Sequence, residues 1–239
     1  MENKKENIQK GSAAKIILLL LLSLIMPTLS GAFIGMREIT EQSAIYLAQF
    51  VSFFAGCLIL MFIIRKSSFN YRNIGFRSGR VGKWIIGIIA VEAAALTAGM
   101  KRGIDLKTAA VLVVFMVSVG FFEEIIYRGL ILQYLNKTNT RKAVVFSSVL
   151  FGVGHIANLL GGADLKATIG QIIFAVLFGV VCAEIVILTD SIVIGIVWHS
   201  VHNIISQLTS SASAYEFIIA VMQCIILAVL GLVLWHKIK

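Results

Sequence analysis

Charge is scarce in this chain. Asp, Glu, Lys and Arg make up 14% of 239 residues, against 59% hydrophobic ones. A soluble domain of that composition would expose large apolar patches to water, so a soluble globular protein is excluded. Proline occurs once, at Pro27. Cysteine occurs three times, at Cys57, Cys182 and Cys224, each inside an apolar run. An odd count without CxxC spacing excludes a disulfide framework and a zinc knuckle, and leaves the thiols as small apolar fillers. There is no internal repeat, no low-complexity tract beyond the leucine-rich first apolar run, and no linker long enough to hold a soluble domain.

Long apolar runs take the place of what is missing. Mean hydropathy is +0.94, and uncharged stretches of roughly 20 residues match the ~30 Å hydrocarbon core of a bilayer. Eight spans are expected, at about Ile16–Met36, Ser43–Ile64, Gly82–Gly99, Thr108–Leu135, Ala143–Leu160, Thr168–Leu188, Ser191–Leu208 and Tyr215–Trp235. The chain thus reads as an all-α polytopic membrane bundle of about eight transmembrane helices. It forms one domain over residues 1–239, with a motif-bearing core at 108–208 and a basic cytoplasmic tail at 1–15.

Acids are fewer than bases, 12 against 21, for a net charge of +9. With both termini on one side, that side collects fifteen of the basic residues, including Lys4, Lys15, Arg65, Arg77, Lys83, Arg141 and Lys237. The other side has five, Arg37, Lys101, Arg102, Lys107 and Lys166, and Arg128 lies within a span. The positive-inside rule then puts both termini in the cytoplasm. The basic loops sit against anionic headgroups, and their scatter over short loops argues against a nucleic-acid partner. The first span, with four lysines before it and Ser30-Gly31-Ala32 near its end, resembles a secretory signal. The apolar run is long, however, and its loss would leave seven spans with opposed termini. An uncleaved helix is expected.

Ionisable residues in the middle of such spans cost about 2.5–3.5 kcal/mol each on insertion scales, which makes them functional candidates. The stretch "VGFFEEIIYRGL" holds three of them. Glu124 and Arg128 are four apart and stack on one helical face as an ion pair. Glu123 lies about 100° round the helix, on the face of Tyr127, without a local counter-ion. That leaves it free to act as a general base. A purely structural charge network holding helices together is the competing reading.

Two more clusters follow. In "LFGVGHIANLL", Phe151 and His155 share a face, and Gly152 and Gly154 let another helix approach closely. In "GIVWHSVHNII", His199 and Asn203 are four apart, with His202 three from His199, all three towards a similar side. An imidazole and a carboxamide on one stripe suit an oxyanion, a water or a metal, or an interhelical hydrogen bond. Counted from the span ends, Glu123, His155, His199 and Asn203 all lie roughly 12–18 Å from the cytoplasmic surface. Three helices therefore bring polar groups to one level. Glu92, in mid-span, either lines a cavity or pairs with another helix, and Glu184 reaches the interface near the end of its span.

In order along the chain, EExxxR (Glu123, Glu124, Arg128), FxxxH (Phe151, His155) and HxxxN (His199, Asn203) resemble the CPBP family of intramembrane proteases. That family includes type II CAAX prenyl endopeptidases and bacteriocin-processing and self-immunity proteins. The resemblance implies peptide-bond hydrolysis inside the membrane. Glu123 would activate a water with help from His155, His199 and Asn203 would steady the oxyanion, and Glu124 and Arg128 would be structural or substrate-positioning. There is no HExxH zinc motif. Were zinc or another divalent metal used, His155, His199 and Glu123 would be its ligands; a glutamate-activated water explains the same residues without it, and is the preferred reading. The substrate would be a hydrophobic peptide or a membrane-anchored protein, met in the bilayer, with the plasma membrane of a bacterium as the expected location. Intramembrane Glu and His also suit a proton-coupled transporter, but no pair of Gly/Pro-broken spans stands in matching positions. A non-catalytic scaffold is the third reading.

Overall fold

A computed structural model of the chain describes residues 2–67, 69–136, 139–210 and 215–238, with side chains left undescribed for residues 2–12 and Leu160. Each apolar run contains a helix. The described residues form α1 (Glu2–Met36), α2 (Gln42–Lys66), α3 (Ile85–Leu96) and α4 (Leu106–Glu124). The rod of α4 continues through a π-helical segment, Ile125–Ile131, into a last turn α5 (Leu132–Leu135). Then come α6 (Thr140–Gly154), which tightens to a 3₁₀ turn over His155–Gly161, α7 (Leu165–Thr189), α8 (Val193–Leu208) and α9 (Glu216–Trp235).

Six of these rods are long and apolar enough to cross a membrane. The other two expected spans are shorter. The third shrinks from Gly82–Gly99 to the 12 residues of α3, and the seventh is the 16-residue α8. At 1.5 Å per residue they are about 18 and 24 Å long, less than the ~30 Å hydrocarbon core. The backbone of α1 is helical from Glu2, so the basic N-terminal segment runs on without a break into the first apolar span, which begins at Ala13. Pro27 lies inside that helix.

Helix starts follow local chemistry. Asp105 accepts from the Thr108 amide, Asn139 from Lys142 and Asp164 from Ala167, each satisfying an otherwise orphaned N–H. The Asp105 carboxyl is held below its ordinary value, chiefly by the Thr108 hydroxyl and next by its amide.

Loops gather at two ends. At one end Lys15 lies over the Tyr134 ring, and Phe69 meets Tyr134 edge-on. There too Arg77 pairs with Asp190, and Arg141 donates to the Ile238 carbonyl. Lys15, at the start of the first apolar span, and Ile238, just past α9, therefore belong to the end that carries most of the basic residues. At the other end Lys107 pairs with Glu41, Met100 bridges Thr209, and Lys101 donates to the Gln207 carbonyl.

The core sits where α4, its π-helical extension, α6, α7 and α8 meet. Every residue of Ile125–Ile131 is buried. Close approach is licensed at Gly152, where a Cβ would strike Val176 and come within 3.0 Å of the Ile172 carbonyl on α7. Cys57 and Cys182 are buried free thiols and Cys224 is half-buried.

Candidate active site

Glu123 and Glu124 end α4, just where the helix widens into the π-helical segment. A π turn inserts extra backbone into one face and re-aims the side chains beside it, which is why such turns recur at functional sites. Glu124 is fully buried, and so is Arg128; its Nη1 lies 3.0 Å from Glu124 Oε1. The expected ion pair is present. The guanidinium also stacks 4.3 Å from the centroid of Phe151, on α6. Small residues make room for both groups. A Cβ on Gly195 would come within 2.9 Å of Glu124 Oε2, and one on Gly179 within 3.1 Å of Arg128 Nη2.

Glu123 is not alone, contrary to the expectation of a carboxylate without a counter-ion. Its Oε2 lies 3.5 Å from His199 Nε2, and its side chain keeps 20% exposure. The His199 ring is 6% exposed and bridges both acids, since its Nδ1 lies 3.0 Å from Glu124 Oε1. Glu124 is already committed as a carboxylate by Arg128, so Nδ1–H donates to it. This holds the ring with its Nε2 edge towards Glu123, the arrangement by which a buried acid orients a catalytic imidazole. The sequence placed the counter-ion search on one helix, and the partner comes from another.

Phe151 is the hub of the surrounding rings. It meets Tyr127 at 5.1 Å, His155 at 5.2 Å and His199 at 5.6 Å between centroids. His155 thus joins the site across a phenylalanine. Its Nδ1 lies 3.0 Å from the Phe151 carbonyl, which leaves Nε2 for another partner. Asn203 is half-buried, one turn beyond His199 on α8, and its side chain forms no hydrogen bond with the described residues.

Two sequence-derived placements change. His202 does not face the site with His199 and Asn203: its Nδ1 lies 3.1 Å from Glu92 Oε1 on α3, because three residues on a helix are still about 60° apart. Glu92 takes the second of its two expected roles and pairs with another helix. Glu184 does not reach the interface; it is fully buried, and neither carboxylate oxygen has a hydrogen-bond partner among the described residues.

As ligands, the candidate residues do not converge. Among the described residues no three His, Cys, Asp or Glu side chains are grouped to hold a metal ion. His155 is separated from the Glu123–His199 pair by the Phe151 ring. The metal set His155, His199 and Glu123 therefore does not fit this geometry, and no step is derived through a metal.

A multi-helix membrane bundle with an acid, an imidazole and a buried ion pair at its centre is the class that fold and site define. Residues 105–205, from the cap of α4 to near the end of α8, match the family model described as type II CAAX prenyl endopeptidase Rce1-like. Over that stretch the chain is similar to the type II CAAX prenyl endopeptidases, which belong to the CPBP intramembrane proteases that its motifs resemble. No curated protein and no solved structure matches it.

Proposed function

We propose that this protein cleaves a peptide bond of a hydrophobic peptide or membrane-anchored protein within the bilayer, using water activated by Glu123. The observation that carries the reading is the contact of Glu123 Oε2 with His199 Nε2 at 3.5 Å, beside an ion pair that fully commits Glu124. Glu123 is the one acid of the pair left free to move a proton, and the only one of the two with solvent exposure.

In this reading Glu123 takes a proton from water as the hydroxide attacks the scissile carbonyl carbon. The C=O π electrons move to oxygen, and the oxyanion is met by donors from α8, His199 Nε2 carrying a proton and Asn203 Nδ2. Collapse breaks the C–N bond, and the proton held by Glu123 passes to the departing nitrogen. His155, held across the Phe151 ring with its Nε2 unengaged, assists Glu123 in holding the water. Glu124 and Arg128 hold His199 and the helix end in place. A location in a bacterial plasma membrane, with a role in peptide maturation or bacteriocin self-immunity, is consistent with the basic loops and the family.

The test is cleavage of an internally quenched peptide ending in a farnesylated CAAX sequence, by protein in nanodiscs. A set of membrane peptides without the prenyl group runs in parallel. Glu123→Gln is expected to lower turnover by about 10²–10⁴-fold with an unchanged melting profile. Full activity in that variant would remove Glu123 from the chemistry. Activity that vanishes with chelator and returns with zinc would replace the metal-free scheme.

A further inference from the structure

A second buried polar cluster lies on a neighbouring face of α8, and the chemistry just described does not use it. Glu92, on α3, is 8% exposed. Its Oε1 accepts from the Trp198 indole N–H at 2.8 Å and lies 3.1 Å from His202 Nδ1, with Oε2 at 3.2 Å from the same nitrogen. Trp198 and His202 are one turn apart on α8. Both are also gripped from α7: Phe178 packs 4.3 Å from Trp198 and 5.3 Å from His202, and Phe174 stacks on His202 at 4.8 Å. The backbone beside Glu92 is itself tied down, since Gln223 of α9 donates to the Val91 carbonyl at 3.2 Å.

A carboxylate in mid-bilayer is costly to insert, and an apolar side chain would pack α3 against α8 without that cost. What Glu92 adds is direction. Two bonds to points one turn apart on the same helix resist both rotation and sliding of α8, which one bond or an apolar contact does not. On α8 the gripped residues and the site residues occupy neighbouring faces. With Trp198 at 0°, His202 falls at about 40°, His199 at about 100° and Asn203 at about 140°. A rotation of ~20° would carry an atom at the ~6 Å side-chain radius through about 2 Å. That is enough to lose the 3.5 Å approach of His199 Nε2 to Glu123. α8 is short and has no side-chain cap at its N-terminus; α4 holds one face of it through the Glu124–His199 contact and the close approach at Gly120, and Glu92 is the polar anchor from the α3 side.

We propose that Glu92 is a positioning residue for the Glu123–His199 site, fixing the rotation of α8 through Trp198 and His202 and so the placement of His199. The inference rests on the protease reading for its functional consequence, but its geometric content stands apart from activity.

Two readouts separate these. In the first, kcat and KM are measured on the farnesylated quenched peptide for Glu92→Leu, Glu92→Gln and Trp198→Phe. Misplacement of a reacting group by ~1 Å costs about 10²-fold, so Glu92→Leu is expected to lower kcat by about that factor with KM within about threefold. Glu92→Gln keeps a carbonyl acceptor for both donors and is expected to remain within about fivefold of the parent. Trp198→Phe removes one of the two anchors, and should fall between them if Glu92→Leu fails to fold. In the second readout, histidine-labelled protein in nanodiscs is followed by NMR, with His199 assigned by substitution of each histidine in turn. The His199 ring resonances are expected to move in Glu92→Leu, to move less in Trp198→Phe, and to stay near the parent in Glu92→Gln. An unmoved His199 in folded Glu92→Leu and Trp198→Phe overturns the proposal, as does Glu92→Gln being as impaired as Glu92→Leu. A parent protein that cleaves none of the peptides overturns the protease reading alone, and the resonances still decide the role of Glu92.

Discussion

Glu123 and Glu124 are adjacent in the chain and have opposite surroundings. Glu124 is sealed between Arg128, His199 and the bare face of Gly195, whereas Glu123 keeps a fifth of its side chain open beside His199 Nε2. Substitutions should therefore separate cleanly. Glu123→Gln is expected to remove activity and spare stability. Glu124→Gln or Arg128→Ala strands the remaining charge in a low-dielectric interior, and each should lower unfolding stability by about 3–5 kcal/mol, read as a drop in melting temperature and expression. Normal melting in both would show that the pair is not a stabilising unit. This division was legible from spacing alone, because residues four apart stack on a helix. What spacing did not carry was the contact of His199 with both acids, since His199 and Glu124 stand 75 positions apart.

At the scale of elements, two local departures from the regular α-helix shape the site. The π-helical segment Ile125–Ile131 sits immediately after the two acids, and the 3₁₀ turn begins at His155 itself. Neither is announced by proline, and the apolar periodicity runs through both. Close packing at Gly152 was foreseen from its neighbourhood, and gives an element-level test. In Gly152→Ala the added methyl meets Val176 and the Ile172 carbonyl, so α6 must shift from α7. Overpacking of this kind typically costs 1–3 kcal/mol, to be checked by thermal unfolding in detergent. Because Phe151 is the next residue, and touches Arg128, His155 and His199, reduced turnover should accompany the loss. The α4 start offers a pH test outside the bilayer. The Asp105 carboxyl is held below its ordinary 3.8 by Thr108. Its contribution is fully present above that ordinary value and fades as pH falls through the lowered one. Hydrogen exchange in the first turn of α4 should quicken across that acidic window, and Asp105→Ala should exchange fast at every pH.

For the whole molecule, contacts between loops divide the bundle into two ends, with Lys15, Arg77, Arg141 and Ile238 at one and Glu41, Lys101 and Lys107 at the other. The same division follows from counting basic residues, and the positive-inside rule assigns the first end to the cytoplasm. Single cysteines placed at Arg77 and Lys101 in a cysteine-free background should label from opposite sides of sealed vesicles. Labelling of both from one side would refute the topology. Six rods have the length to cross the bilayer and two fall short. The short pair, α3 and α8, are the helices that Glu92 joins, and α8 is the one that carries His199 and Asn203.

Composition and apolar runs were sufficient to establish a helical membrane bundle, the order of its helices and the Glu124–Arg128 pair. These follow from the bilayer's length scale, from helical periodicity and from the cost of charge in hydrocarbon, all of which act locally along a chain. Which histidine stands beside Glu123, that His202 turns away to Glu92, and that Glu184 is sealed inside were settled only by packing. Each depends on how far one helix is rotated against another, and that rotation is set by glycine gaps, ring stacks and paired polar groups contributed by distant parts of the chain.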